Sequence, residues 1–227
     1  MSALEALLQH PGIWRGNELS NVALPGIPSG FAELDRELPG GGWPRGVLTE
    51  ILYNLEGIGE VSLFLPALAK LSQEKAWIAF VNPPYLPYAP ALAGSNIDLS
   101  RIVLLRTRSS GESMWAMEQA LRSGSCSAVL GFMRYCNERG LKRMQAAAEA
   151  GKCFAVYFTH DHHALHGSPA ALRIKLAPQR QGTLVQVIKR RGGGWAPALN
   201  LNLHHALAVS QFSGTSARNI PARLVFT

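Results

Sequence analysis

Cysteine, charged residues and long apolar runs are all scarce in this chain of 227 residues. The three cysteines, Cys126, Cys136 and Cys153, are widely spaced and form no C-x-x-C pair, which argues against a disulfide framework and a zinc site. No run of about 18 apolar residues could span a bilayer, and the amino terminus lacks the basic region and apolar core of a signal peptide. The sequence therefore predicts a cytoplasmic protein without metal or membrane contact.

Acidic residues are missing from the last part of the chain. Residues 162–227 contain no Asp or Glu and carry eight of the 22 Lys and Arg, so all of the net charge of +7 belongs to this segment. An acid-free basic segment is typical of contact with nucleic acid or with an acidic protein surface. A solvated basic surface without a partner is the alternative.

Apolar residues make up 47% of the sequence, which is enough for a substantial core, and the length fits one domain. We expect an amino-terminal helix and linker arm at residues 1–25, a core at residues 26–208 and a flexible basic tail at residues 209–227.

The segment between an apolar strand at 47–52 and a helix at 61–71 has the frame of a phosphate-binding loop without its chemistry. A working loop reads G-x-x-x-x-G-K-[ST], in which backbone N–H groups and the lysine bind phosphate and the hydroxyl holds Mg²⁺. Aligned on the second glycine, the lysine becomes an acid and the hydroxyl residue becomes valine. The altered loop comprises Asn54, Gly57, Gly59, Glu60 and Val61.

The order of segments around this loop resembles the ATPase core of the RecA recombinase family, since residues 26–35 and 38–46 lead into the first strand. The resemblance implies an α/β fold with a mainly parallel twisted sheet flanked by helices, followed by a carboxyl-terminal antiparallel hairpin. In that family an acid follows the second strand and another ends the Mg²⁺-binding strand; here these places hold Pro84 and Gly131. We therefore expect no ATPase activity and no cofactor.

Within that class the chain resembles the ImuA family through residues 14–16, 38–44, 83–85, 87–90 and 189–193. The resemblance implies a non-catalytic accessory protein of SOS-induced translesion synthesis. Its implied partners are an ImuB-like homologue of Y-family polymerases and an error-prone polymerase, with RecA and DNA as further partners. Self-association is left open.

Residues 48–52, 63–71, 77–104 and 120–124 also resemble the SulA family, which inhibits cell division by binding FtsZ. Chains of that family stop soon after this region, whereas this one continues, and on that ground we favour the ImuA-like function. A nucleotide-binding regulator of RecA is a second alternative, which the acid at position 60 opposes.

Two segments offer candidate contacts with DNA or a protein partner. Arg134 and Tyr135 follow a predicted strand at 127–132. The runs at 183–189 and 195–203 predict a hairpin with a glycine turn, which would present Lys189, Arg190, Arg191 and Trp195 at its tip. Arginine beside an aromatic ring suits phosphate contact and stacking; the alternative is a Trp195 packed on the sheet. The histidine-rich segment at 160–166 is predicted to be a loop without metal.

Overall fold

Apolar strands alternate with helices along most of the chain. The computed structural model describes residues 26–162, 167–190, 193, 196–203 and 223–226. The helices are α1 (Ala32–Glu37), α2 (Leu65–Ser72), α3 (Ala89–Gly94), α4 (Ser110–Arg122) and α5 (Glu138–Gly151). The strands are β1 (Leu48–Tyr53), β2 (Trp77–Val81), β3 (Ile102–Arg106), β4 (Cys126–Phe132), β5 (Phe154–His160), β6 (Leu172–Gln179), β7 (Gly182–Lys189), β8 (Leu199–Leu201) and β9 (Arg223–Phe226).

The strands form one sheet in the order β8-β7-β6-β1-β5-β4-β2-β3-β9. Strands β6, β1, β5, β4, β2, β3 and β9 pair in parallel, whereas β7 is antiparallel to both β6 and β8. The predicted mixed α/β fold, with a mainly parallel sheet and a carboxyl-terminal antiparallel hairpin, is confirmed at this level. Because parallel strands end at the same edge, the loops after β1, β2, β4 and β5 meet there.

Helices cover both faces of the sheet, and each face has its own core. On one face Trp43, Phe64 and Phe154 pack together around β1 and β5, with Trp43 and Phe64 ring centroids 4.7 Å apart. On the other face α4 and α5 bury Met117 and Met144 against the central strands. Burial on both faces explains why these strands read as nearly continuous apolar runs.

Side-chain caps define where the two longest helices begin. The Ser109 hydroxyl accepts a hydrogen bond from the backbone N–H of Glu112 at the start of α4. The Asn137 side chain accepts one from the N–H of Gly140 at the start of α5. Each cap accepts from a backbone N–H that has no carbonyl partner within the first helical turn. Because α4 follows β3 and α5 follows β4, both helices begin near the carboxyl edge of the sheet.

The carboxyl-terminal part differs from what was expected from the sequence in three places. Strand β6 was not predicted at all, because Arg173 and Lys175 interrupt its apolar pattern. The predicted strand at 195–203 is reduced to β8, which pairs with β7 over three residues. The tail at 209–227 was expected to be flexible, yet β9 within it pairs in parallel with β3. Pairing with a strand more than a hundred residues away leaves no local signal in the sequence.

The expected arm at residues 1–25 lies outside the described residues, as does 204–222. No helix in the described part of the chain is long and apolar enough to cross a membrane.

Candidate functional site at the carboxyl edge of the sheet

The altered phosphate loop is folded around its own carboxylate. Glu60 is 6% exposed, and its Oε1 accepts a hydrogen bond from the backbone N–H of Gly57 at 3.1 Å. Its Oε2 is buried without a hydrogen-bond partner among the described residues. The acid at the lysine position therefore accepts a hydrogen bond from a loop N–H that a phosphate would otherwise use. Its negative charge would also repel phosphate.

Contacts with the antiparallel strands hold the other side of this loop. Gly59 has a φ of +93°, and a Cβ on it would lie 2.8 Å from Cδ1 of Leu203. The Thr183 hydroxyl at the start of β7 donates a hydrogen bond to the carbonyl of Ile58. Val61, in the place of the Mg²⁺-binding hydroxyl residue, packs against the apolar core. The loop is exposed from Asn54 to Gly57, and these contacts turn Glu60 into the interior.

The Gly131 position has no room for the acid that an ATPase would need. A Cβ on Gly131 would lie 2.3 Å from Sδ of Met117, a completely buried residue of α4. The methionine therefore occupies the space in front of the strand, and a carboxylate could not be accommodated without moving it.

The end of β2 has a structural function in place of a catalytic one. Asn82 lies at a φ of 49°, and its amide nitrogen donates to the hydroxyls of Thr107 at 2.6 Å and Ser113 at 2.7 Å. Its carbonyl oxygen accepts from the backbone N–H of Thr107 at 2.8 Å. The side chain thereby ties β2 to the end of β3 and to the first turn of α4. Pro84, two residues on, lines the neighbouring cleft.

A cleft of about 630 Å³ opens between the loops that follow β1, β2, β4 and β5. The rings of Phe132 and Phe158 lie within its lining and stack in parallel, with centroids 4.3 Å apart. The lining consists of Tyr53, Asn54, Glu56, Asn82, Pro84, Phe132, Met133, Arg134, Phe158, Thr159, His160 and His162. Crevices at this edge of a parallel sheet are the usual binding sites of α/β folds.

Two loops meet beside this cleft and carry exposed apolar side chains. Leu55 follows β1 and is 54% exposed; Tyr85, Leu86 and Tyr88 follow β2 and are 69%, 64% and 72% exposed. We call these four residues the rim patch. Interaction with the Glu56 carboxylate raises the pKa of Tyr85. Glu56 from the first loop and Pro84 from the second both line the cleft.

Burial and two acidic neighbours raise the pKa of Tyr53, which lines the cleft. Burial raises the pKa of Tyr53 to about 12, with further contributions from the negative charges of Glu60 and Glu56. The Tyr53 hydroxyl is therefore a neutral hydrogen-bonding group and not a base at physiological pH.

Positive charge lies on the opposite wall of the cleft. Arg134 is exposed there, its carbonyl accepts from the Thr159 hydroxyl at 3.2 Å, and its guanidinium has no carboxylate partner in the described ranges. Tyr135 beside it is 60% exposed. The two residues are thus placed at the surface, as a contact site requires.

The histidine segment shows no metal site where it is described. His160 and His162 have ring nitrogens 2.8 Å apart, and Asp161 lies 3.2 Å from His160 and 3.2 Å from Nζ of Lys175. No group of three or more metal-binding side chains occurs among the described residues. The remaining histidines, at 163 and 166, lie outside them.

The basic side chains of the predicted hairpin tip contact their own protein. Lys189 donates to the carbonyl of Ser168 at 2.6 Å. Arg190 donates to the carbonyl of Glu37 at 2.6 Å and to its carboxylate at 3.0 Å. These bonds attach the end of β7 to α1 and to the loop before β6. Arg191 and Trp195 lie outside the described residues, so the predicted tip contact stays a prediction.

The region of the chain that is similar to known proteins includes most of the loops at the carboxyl edge of the sheet. Residues 46–155 match the family described as cell division inhibitor SulA. A SulA of Serratia proteamaculans is 28% identical over 135 residues, which cover 59% of this chain and 80% of that protein. One of Edwardsiella piscicida is 33% identical over 93 residues, covering 40% of this chain and 55% of that protein.

Among solved structures, the crystal structure of SulA from Pseudomonas aeruginosa is similar to 49% of this chain and 96% of that one. The TM-score is 0.41 and the sequence identity 22%.

These comparisons correct the main functional prediction. The chain was expected to be an ImuA-like accessory protein of translesion synthesis, with an ImuB-like homologue, an error-prone polymerase, RecA and DNA as partners. The matches are to SulA proteins instead, which are named as cell division inhibitors, so that prediction and its partners are wrong. The extension beyond the SulA-like region, which favoured ImuA, does not identify a family by itself.

Sequence reasoning missed the rim patch. The segment 82–90 was used only as a family resemblance, although it places two tyrosines and a leucine among four prolines without helical or strand periodicity. Apolar residues in a proline-rich loop have no buried face to occupy, and this was the available signal of exposure.

Proposed function

We propose that this protein is a non-enzymatic inhibitor of cell division that acts by binding FtsZ, as the SulA-like resemblance implies. The observation that carries the proposal is the match of residues 46–155 to the SulA family, a stretch that begins just before β1 and ends in β5. It contains the loops after β1, β2 and β4, which line most of the cleft and carry the rim patch.

The geometry supports binding over catalysis. Glu60 takes a backbone donor of the former phosphate loop, and Met117 fills the space in front of Gly131. Exposed tyrosine and leucine side chains beside a cleft are typical of protein interfaces.

We propose three further properties of this protein. The first is a RecA-like arrangement of the sheet, which is supported by the position of β1, the strand that leads into the altered loop, between β5 and β6. We propose residues 26–208 as the binding core; the amino-terminal arm predicted at 1–25 lies outside the described residues. The location is cytoplasmic, where FtsZ is found.

The test is a polymerisation assay with purified FtsZ and GTP, with and without the full-length protein. We expect sedimented polymer and GTP turnover to fall as the protein approaches equimolar amounts, and cells that express it to grow as filaments. Unchanged polymer, turnover and cell length at a several-fold molar excess would contradict the proposal.

A further inference from the structure

We infer that the outer surface of helices α4 and α5 binds an acidic segment of the partner protein, which is FtsZ under the proposed function. This surface consists of Trp115 and Arg122 on α4 and of Arg139 and Arg143 on α5, and we call it the helical surface. The inference rests on the proposed function and assigns a binding surface to it. Carboxylates of the partner pair with the arginines that surround Trp115.

Side-chain contacts show how α4 and α5 lie against each other. A Cβ on Gly140 of α5 would lie 2.8 Å from Sδ of Met114 on α4. One turn further along both helices, the guanidinium of Arg143 donates a hydrogen bond to Oε2 of Glu118. Because these contacts advance in the same direction on both helices, α4 and α5 run parallel, as helices that each connect two parallel strands must.

Trp115 and the arginines point to the same side of this helix pair. Successive residues of a right-handed helix are about 100° apart. The residue after a contact on α4 and the residue before its partner on α5 therefore point the same way, which places Trp115 beside Arg139. Arg122 lies two turns after Trp115 on the same stripe of α4. Trp115 is 60% exposed and Arg139 is exposed, whereas Met117 on the opposite side of α4 is completely buried.

A buried carboxylate holds two of the arginines in place. Nη2 of Arg122 donates to Oε1 of Glu118 at 3.2 Å, and Arg143 donates to Oε2 of the same side chain. The Glu118 side chain is 9% exposed, while those of Arg122 and Arg143 are 57% and 54% exposed. A guanidinium has five N–H donors, and the bond to Glu118 uses one of them. Arginines that are already fixed lose less side-chain entropy when a partner binds.

The charge balance of the helical surface selects an acidic occupant. Arg139 has no carboxylate within ion-pair distance among the described residues. The neighbouring acid, Glu138, is paired with Lys142 at 2.6 Å. Three arginines against the single carboxylate of Glu118 leave two positive charges, 3 − 1 = 2. Carboxylates are complementary to this surface, and arginine binds them in a two-point geometry.

Trp115 favours an acidic protein segment over nucleic acid. Tryptophan and arginine are enriched among the residues that dominate binding energy at protein interfaces. A nucleic-acid duplex would present phosphates to the arginines but no apolar surface to cover this ring. A protein segment that carries both carboxylates and apolar side chains can do both.

The test compares variants in the FtsZ polymerisation assay. Arg139→Glu and Trp115→Ala are expected to raise the concentration for half-inhibition on the order of tenfold, since one reverses a charge and the other removes the central ring. Arg36→Glu is the matched charge control, because Arg36 is exposed on α1 and has no carboxylate within ion-pair distance in the described ranges. Ile188→Ala is the apolar control, since Ile188 is 37% exposed on β7. Both controls should inhibit like the wild type.

The outcomes separate the helical surface from the function. If the wild type inhibits and both site variants inhibit equally well, with circular dichroism showing all chains folded, the helical surface is wrong and the function stands. If Arg36→Glu loses as much as Arg139→Glu, net charge governs binding and the inference is overturned. Retardation of duplex DNA that the site variants alone lose would assign the surface to nucleic acid and also overturn it. If the wild type leaves FtsZ unaffected, the proposed function fails and the inference fails with it.

Discussion

At Glu60, where a working phosphate loop carries lysine, the carboxylate bonds to the N–H of Gly57 in the same loop. Replacing Glu60 with alanine removes the acceptor and leaves a hole, so we expect the free energy of unfolding to fall by roughly 1 kcal/mol. Glu60→Gln keeps the volume and one carbonyl oxygen, and should remain closer to the wild type. Urea denaturation of the three chains checks this; equal stability of the alanine variant would show that the bond contributes nothing.

At Gly131, a single atom of Met117 determines which residues are tolerated. A methyl group there would lie 2.3 Å from Sδ of Met117, so Gly131→Ala should cost roughly 1–3 kcal/mol of stability through overpacking. Adding Met117→Ala should return part of that loss. Gly111→Ala is the control, since at Gly111 the nearest atom to a new Cβ is 4.0 Å away. Thermal or urea unfolding that ranks Gly131→Ala with Gly111→Ala would show that the methionine moves aside freely.

Tyr53 makes stability depend on alkaline pH. Its pKa is raised from 10.0 to about 12 in the folded protein, chiefly by burial, so the unfolded chain ionises first. The stabilising contribution is therefore complete below about pH 10 and is lost as the pH rises toward about 12. Urea unfolding across this range should show a steeper loss for the wild type than for Tyr53→Phe, which cannot ionise. Parallel curves for the two chains would contradict the assignment.

At the scale of the elements, a buried ion pair joins β1 to β6. Nε of Arg173 lies 2.6 Å from Oε2 of Glu50, and the side chains are 8% and 3% exposed. Arg173→Ala leaves the carboxylate buried without this partner and should cost about 3–5 kcal/mol in urea unfolding. Replacing both residues by Glu50→Leu/Arg173→Met should restore much of that stability, because no charge is then buried.

The exposed Arg45–Glu74 pair supplies the comparison for this prediction. Its side chains are each 38% exposed, so Arg45→Ala should cost no more than about 1 kcal/mol. A similar loss for Arg173→Ala and Arg45→Ala would mean that water reaches the buried pair.

For the whole molecule, the order of strands places β8 and β9 at opposite edges of the sheet. With a spacing of about 4.8 Å, eight intervals separate them by roughly 38 Å. Strand β9 covers β3, which would otherwise be an open edge. Open edges pair with other chains, so a protein that ends before Arg223 should self-associate and lose stability.

Sedimentation velocity and urea unfolding would test this against a chain that ends at Phe226, which keeps all four β9 residues. A truncated protein that sediments and unfolds like that control would show that β9 contributes nothing to the edge.

The apolar pattern of the sequence predicted the elements whose side chains are buried along their length. Strands β1 and β4 and helix α2 were predicted, at 47–52, 127–132 and 61–71, because their apolar residues face a buried core. Strands β6 and β9 were missed because their pairing depends on distant partners: Glu50 for the buried arginine of β6, and β3 for the tail.

The altered chemistry of the phosphate loop was predicted from the sequence alone, since positions 60 and 61 carry an acid and a valine in place of the lysine and hydroxyl that bind phosphate and Mg²⁺. Only the tertiary structure decided where Glu60 points, that Met117 fills the space beside Gly131, and that Glu56 and Pro84, from the loops after β1 and β2, line one cleft. Residue identity fixes charge and donor capacity at each position. Which groups meet is determined by strand order, because the parallel sheet brings together loops that the chain keeps far apart.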